Sequence, residues 1–305
     1  MPNIIGKRTF FLSLSAVLVI LSILALAVFG LKSGIDFSAG SLLTVAFDTK
    51  PATTDLKAEL ATLGYSDVVI QTTGSGDFLI RLNKSDIGTA GKNALLAGLQ
   101  TKFGTAQERG FESIDPIIAR QSTRVAAEAV GLSAVGILAY LTWAFRKMPR
   151  PLHYGTCAVI AILHDVLVVL GIFAVLGAIF GWEIDLVFLI GVMTVIGYST
   201  NNTVVVFDRI RENVLRGVAP TFDGAVNRSV VETIVRSVNS STTVIISGLA
   251  LMLFVGAAIQ NLAMVMMIGI IVGTYDSLFV APAILVIWDN FDKKRLVTKV
   301  ARAGA

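Results

Sequence analysis

Polar and apolar residues are sorted into long blocks along this chain. An apolar run covers residues 10–31, a hydrophilic block follows over 32–124, and five more apolar segments lie near 125–145, 155–182, 186–207, 238–256 and 261–288. At about 1.5 Å per helical residue, each run is long enough for roughly 30 Å of hydrocarbon. The pattern predicts six transmembrane helices rather than the alternating segments of about ten residues that build an outer-membrane barrel. The first run follows Lys7 and Arg8 and exceeds the roughly 7–15 apolar residues of a cleavable signal, so it reads as a retained span.

The hydrophilic block has a rhythm of its own. Strand-like alternation over 41–47 precedes a helical stretch at 53–63, opened by Thr-Thr-Asp and closed at Gly64. Two short β-rich runs, 67–72 and 78–82, flank Gly74-Ser75-Gly76, which has the chemistry of a hairpin turn. A second helix over 87–103 and a strand over 111–114 complete a β-α-β-β-α-β order, the split βαβ or ferredoxin-like arrangement. The block contains no His and no Cys, which suits a lever or docking surface better than an enzyme.

Composition excludes a soluble globule. Of 305 residues, 54% are hydrophobic and 15% charged, with 17 Phe and 7 Met, and the mean hydropathy is +0.77. A net charge of +4 would suit a nucleic-acid partner, but the basic residues follow the spans instead. Arg146, Lys147 and Arg150 follow the second; Arg209, Arg211, Arg216, Arg228 and Arg236 follow the fourth; Lys293, Lys294, Arg295, Lys299 and Arg302 follow the sixth. Loops 182–186 and 256–261 carry neither Lys nor Arg. By the positive-inside bias both termini are cytoplasmic, the chain is multi-pass in the cytoplasmic membrane of a prokaryote, and the hydrophilic block lies outside. No nucleic-acid partner is expected. The expected fold is an all-α six-helix membrane bundle with one small extracytoplasmic α+β, ferredoxin-like domain. Its parts are a first span (1–31), the outer domain (32–124), a five-helix membrane domain (125–289) and a basic cytoplasmic tail (290–305). Cys157, the single cysteine, cannot form an internal disulfide.

Within this apolar background a few polar groups stand out. Ser199, Thr200, Asn201, Asn202 and Thr203 interrupt the fourth span. Lipid offers them no hydrogen-bond partner, so they must face other helices or water. His164 and Asp165 lie about 15 Å into the third span, and Asp276 lies near the middle of the sixth. A carboxylate at such depth costs about 2.5–3.5 kcal/mol on insertion scales, which makes a functional or paired role the default. Asp165, Asp276 and His164 are therefore proton-relay candidates, although His164 and Asp165, about 100° apart on one helix, are not expected to share a cavity. The alternative for His164 is a neutral ring bonded to a neighbouring helix. Asn202 cannot carry charge and reads as a structural polar contact, with Asn201, Thr203, Thr242 and Thr243 as interhelical hydrogen bonders. Gly269 and Gly273 form a G-x-x-x-G pair suited to close helix packing. Asp208, Arg209, Arg211 and Glu212 read as a solvated juxtamembrane face beside lipid phosphates. There is no phosphate-binding G-x-x-x-x-G-K-[ST] loop and no metal-ligand cluster, so neither an enzyme nor a cofactor or metal is expected.

Five segments together resemble the SecF family, the smaller half of the SecD–SecF accessory complex of protein export, within the resistance-nodulation-division superfamily. They are GIDFSAG at 34–40, LHDV at 163–166, GYSTNNTVVVFDRIREN at 197–213, RSVNSSTT at 236–243 and GIIVGTYDSLFVAP at 269–282. The resemblance implies SecD and the Sec translocation channel as partners, a translocating polypeptide as client, and proton flow as the driving force. It also suggests Arg236 as the cation nearest Asp276, against a plain interfacial arginine. Three positions depart from the family pattern: Ala39 replaces a glycine, Asn202 stands where an aspartate is usual, and Asp276 where a small hydroxyl residue is usual. A charge moved between helices, a paralogue that conducts no protons and an introduced substitution all fit Asn202. Two other functions stay open, a non-conducting scaffold of the translocon and a half-transporter exporting a lipid or small molecule.

Overall fold

The computed structural model of the chain describes residues 2–72, 76–82, 87–254 and 257–303. Helix α1 (Arg8–Phe29) leads through the single turn α2 (Ile35–Ser38) into β1 (Gly40–Phe47), α3 (Thr53–Thr62), β2 (Val68–Thr72), β3 (Phe78–Leu82), α4 (Gly88–Phe103) and β4 (Ala106–Ile114). The bundle follows with α5 (Pro116–Ala144), α6 (Pro151–Phe180), α7 (Leu186–Leu215), α8 (Phe222–Phe254), α9 (Ala257–Tyr275), a π-helical segment (Asp276–Val280) and α10 (Ala281–Ala303). Six helices are long and apolar enough to cross a membrane, the last formed by α9, the π segment and the start of α10.

The small unit is a four-stranded antiparallel sheet in the order β2-β3-β1-β4. Alternate residues Leu43, Val45 and Phe47 of β1 and Phe78, Ile80 and Leu82 of β3 point to one face. There they pack on Leu56 and Leu60 of α3 and Leu95 and Leu99 of α4. Strand β4 begins at Ala106, five residues ahead of the sequence expectation. Gln107, Glu108 and Arg109 are all exposed, and β1 shifts register against β4 between Thr44 and Val45, so no alternation marked this stretch. The turn expected at Gly74-Ser75-Gly76 lies in part outside the described residues.

In the bundle, burial is inverted relative to a soluble protein. Helix α1 buries Ser15 and Ser22 and exposes Val17, Leu21, Leu24 and Val28, the arrangement expected where the solvent is hydrocarbon. Helix α6 and the α9–π–α10 helix form the interior, with α1 and α5 against α6 and α7 and α8 against α9. Local signals set the ends. Asp115 accepts from Ile117 N (2.7 Å) before Pro116, and Asp185 accepts from Phe188 N (2.6 Å) to open α7. Helix α8 starts at Phe222, well ahead of 238, because Ala225, Val226, Ser229, Val230 and Thr233 continue its buried stripe below the apolar run. The basic tail continues α10 as helix.

The sheet domain is tied to one end of the bundle. The linker after α1 pairs with the loop between α6 and α7: Gly34 N donates to Ile184 O (2.7 Å) and Ile184 N to Lys32 O (2.8 Å). From β3, Arg81 pairs with Glu183 (2.9 Å), and Gln71 of β2 donates to Gly181 O (2.5 Å). Asp36 accepts from Leu186 N (2.9 Å), while Asn261 of α9 donates to Asp185 (3.0 Å) and to Glu183 O (3.1 Å). Burial raises the Glu183 carboxyl above its ordinary value despite the opposing pull of Arg81. Burial likewise raises Asp185, against the hydrogen bonds from Phe188 N and Asn261.

Candidate functional site

Polar groups of three helices meet inside the bundle. Helix α6 contributes His164 and Asp165, α7 contributes Ser199, Asn202 and Thr203, and the π segment contributes Asp276 and Ser277, all buried. A π turn inserts one residue beyond the α-helical repeat, and such bulges recur at functional sites. Here it sets Asp276 and Ser277 side by side on the buried side of the helix, at 0% exposure each.

His164 Nδ1 lies 3.3 Å from Asp165 Oδ1 and 3.7 Å from Asp276 Oδ1. The two neighbours His164 and Asp165 therefore do share a cavity, against the expectation from their angular separation. Both α1 and α5 close on α6 from outside, and the His ring spans the gap to the π segment. Asp165 is held on its other oxygen by Ser199 Oγ, which donates to Oδ2 at 2.5 Å. Behind it, Ser277 Oγ donates to Ser199 O (3.2 Å) and shares a hydrogen bond with Thr203 Oγ1 (2.9 Å). Gly273 makes this approach possible: a Cβ there would stand 3.0 Å from Ser199 Cβ and 3.1 Å from Asp165 Oδ2. One turn earlier a Cβ on Gly269 would stand 2.3 Å from Val195 Cγ2, so α9 rides directly on α7.

Asp276 is less well provided for. Neither of its oxygens accepts a hydrogen bond among the described residues, and His164 Nε2 and Asn202 Nδ2 likewise have no hydrogen-bond partner there. Buried polar groups are ordinarily satisfied, so four such atoms in one region mark a place arranged for something other than stability. Among the described residues no Lys or Arg acts on Asp276; the charged groups that do are Asp165 and His164.

Arg236 is not that cation. It is exposed on α8, because Ser237 and Ser241 take the inward face and their neighbour points about 100° away. Thr242 and Thr243 are also exposed, and their hydroxyls bond back to Val238 O (2.8 Å) and Asn239 O (3.0 Å) of their own helix rather than to another. The inward member of that run is Ser241, which meets Thr274 Oγ1 (2.5 Å) and accepts from Tyr198 OH (3.2 Å). Asn201 is exposed, so of the expected interhelical bonders only Thr203 makes such a bond. Sequence reasoning marked Ser199 as part of the polar interruption of the fourth span but passed over Ser277 and Ser241; a helical projection of SSTT and DS against the buried face would have found those two.

At the far end of α7 the charges are fully paired. Glu232 of α8 accepts from Arg209 Nε (2.7 Å), Arg228 Nε (2.9 Å) and Asn213 Nδ2 (2.9 Å), and Arg209 also pairs with Glu212.

Six spans around a buried polar centre define a multi-pass helical membrane protein, and the comparisons with known proteins say which kind. The C-terminal family of the protein export membrane proteins SecD and SecF matches residues 95–291. The protein translocase subunit SecF of Thermobaculum terrenum is 40% identical over 315 residues, covering 100% of this chain and 99% of that one. The same subunit of Anaerolinea thermophila is 38% identical, covering 95% of each. The chain belongs to the SecD/SecF family of protein-transport membrane proteins. Among solved structures it resembles SecDF from Thermus thermophilus, described as a translocon-associated membrane protein, with TM-score 0.84 and 28% identity over 95% of this chain. A SecDF in a super-membrane-facing form gives 0.67 at 27% identity. The chain spans 39% and 40% of the length of those two solved chains.

Proposed function

We propose that this chain acts with SecD as an accessory subunit of a Sec protein translocase, using the proton motive force to promote protein export across, or insertion into, the cytoplasmic membrane of a prokaryote. In this reading both termini are cytoplasmic. The small domain, ferredoxin-like by its element and sheet order, lies outside, where polypeptide leaves the translocation channel. The observation that carries the proposal is Asp276, fully buried at membrane depth with both oxygens unbonded and His164 and Asp165 beside it. Carboxylates so placed can exchange protons, and each change in charge alters the packing of the π segment against α6 and α7. A charge crossing 100 mV is worth about 2.3 kcal/mol, enough to shift a helix-packing equilibrium several-fold. The loop between α6 and α7 holds the sheet domain and its linker through Gly181, Glu183 and Ile184, a direct path for such a shift to reach it.

Asn202 fits this reading as one side of a relocated charge. Asp276 supplies on the π segment the carboxylate that position 202 lacks. SecD finds a natural docking face in Asn201, Asn239 and Ser240, exposed polar groups on spans that lipid cannot satisfy. The test is export of a precursor by vesicles containing the SecYEG-type channel, SecD and this chain. Replacing Asp276→Asn and Asp165→Asn together should abolish stimulation by a proton gradient; stimulation at the wild-type level would leave a scaffold instead.

A further inference from the structure

Proton exchange is one use of a buried cluster of donors; its composition permits another. His164 Nδ1, a carboxylate oxygen of Asp165 and one of Asp276 all lie within 4.8 Å of one another, and all three residues are buried. Around a tetrahedral ion bound at about 2.0–2.2 Å, neighbouring donors stand roughly 3.3–3.6 Å apart. The His164–Asp165 separation (3.3 Å) falls in that range and the His164–Asp276 separation (3.7 Å) lies just above it, before any ion is present. Charge makes the same point independently. Metal ligands bind in their deprotonated forms, and in that state the two carboxylates and the imidazole would carry −2, with no Lys or Arg among the described residues to offset it. A divalent cation brings the cluster to neutrality, which in a low-dielectric interior is the state of lowest cost. One imidazole nitrogen with two carboxylates is a donor set for zinc and its neighbours rather than for magnesium or calcium, which take oxygen alone.

We propose that His164, Asp165 and Asp276 form a binding site for a divalent transition-metal ion of the zinc class, held between α6 and the π segment. Ser199, donating to the second oxygen of Asp165, fixes that ligand from behind. The unbonded oxygens of Asp276 supply the ligand that closes the site. A bound ion clamps the π segment to α6, so metal and the conformational changes of the proposed proton cycle exclude each other. The binding itself does not depend on that cycle.

The test uses the full chain in detergent, stripped with a chelator and titrated with zinc alone. Metal content after desalting should be a single ion per chain, and X-ray absorption should give a nitrogen and oxygen shell at about 2.0–2.1 Å without sulfur. Asp276→Asn and Asp165→Asn should each lose that ion. His153→Ala should keep it, since His153, the other histidine, stacks on Trp288 at the bundle edge beside Asp292. No retained zinc in the wild type, a sulfur ligand implicating Cys157, or full retention in both aspartate variants overturns the site. The absorption spectrum needs no variant, so misfolding of one cannot mask the answer. Loss of zinc binding with proton coupling intact would refute the metal site alone, and the reverse would refute the proton cycle alone.

Discussion

Asp276 and Glu232 are both acids on long helices of this bundle, and they are treated in opposite ways. Glu232 receives two guanidinium groups and an amide, from α7 and from its own helix. Asp276 is completely buried and receives no hydrogen bond among the described residues. The first arrangement ties α7 to α8 through Arg209 and Asn213 and is completed within α8 by Arg228. The second leaves a group whose charge is opposed by its surroundings, so adding or removing one positive charge there has structural consequences. On the proposed function, the contrast separates an acid kept for fastening from an acid kept for switching.

The largest effect should come from Asp276→Asn. Removing the switching acid should eliminate gradient-driven export while the thermal unfolding midpoint in detergent stays level or rises, because a neutral isostere no longer opposes burial. Gly269→Ala attacks the packing of α9 on α7. With Val195 2.3 Å from the added methyl group, it should cost about 1–3 kcal/mol, read as a lowered denaturation midpoint. Glu232→Gln should show the reverse of Asp276→Asn, a midpoint lower by a few degrees with export per folded molecule retained. If Glu232→Gln stopped export without loosening the protein, the division between the two acids would be misdrawn.

Glu183 is an intermediate case, partly buried with a single Arg partner. Burial holds Glu183 and Asp185 above their ordinary carboxylate values. The docked domain thus binds protons more tightly than a released, solvated one. Their contribution to docking is full below the ordinary carboxylate range and fades as pH rises through the raised values. Hydrogen exchange of Gly34 and Ile184 amides should accordingly slow on acidification beyond its intrinsic pH dependence, and Glu183→Gln should flatten much of that extra term.

Much of this was legible in the chain. Six apolar runs and the alternation of Leu43, Val45 and Phe47 required only periodicity and length. Asp165 and Asp276 announced themselves as charges in oil. Their meeting did not, since it depends on how α6 lies against α9 and on a π turn that no residue pattern signals. Arg236 was misplaced for a related reason: RSVNSSTT is polar all round, and only packing reveals that Ser237 and Ser241 are its inward residues. The dock between sheet and bundle was hidden because Arg81, Gln71 and Glu183 look like ordinary surface residues until the sheet is set on the bundle.

The central claim is that acids buried without cations move protons. Its most direct measurement is proton entry into liposomes containing this chain with SecD under an imposed potential, read by an internal pH dye. Wild-type protein should acidify the lumen well above protein-free liposomes, and Asp276→Asn should return the rate to that background. Equal rates for wild type and Asp276→Asn, in folded and correctly inserted protein, would contradict the account.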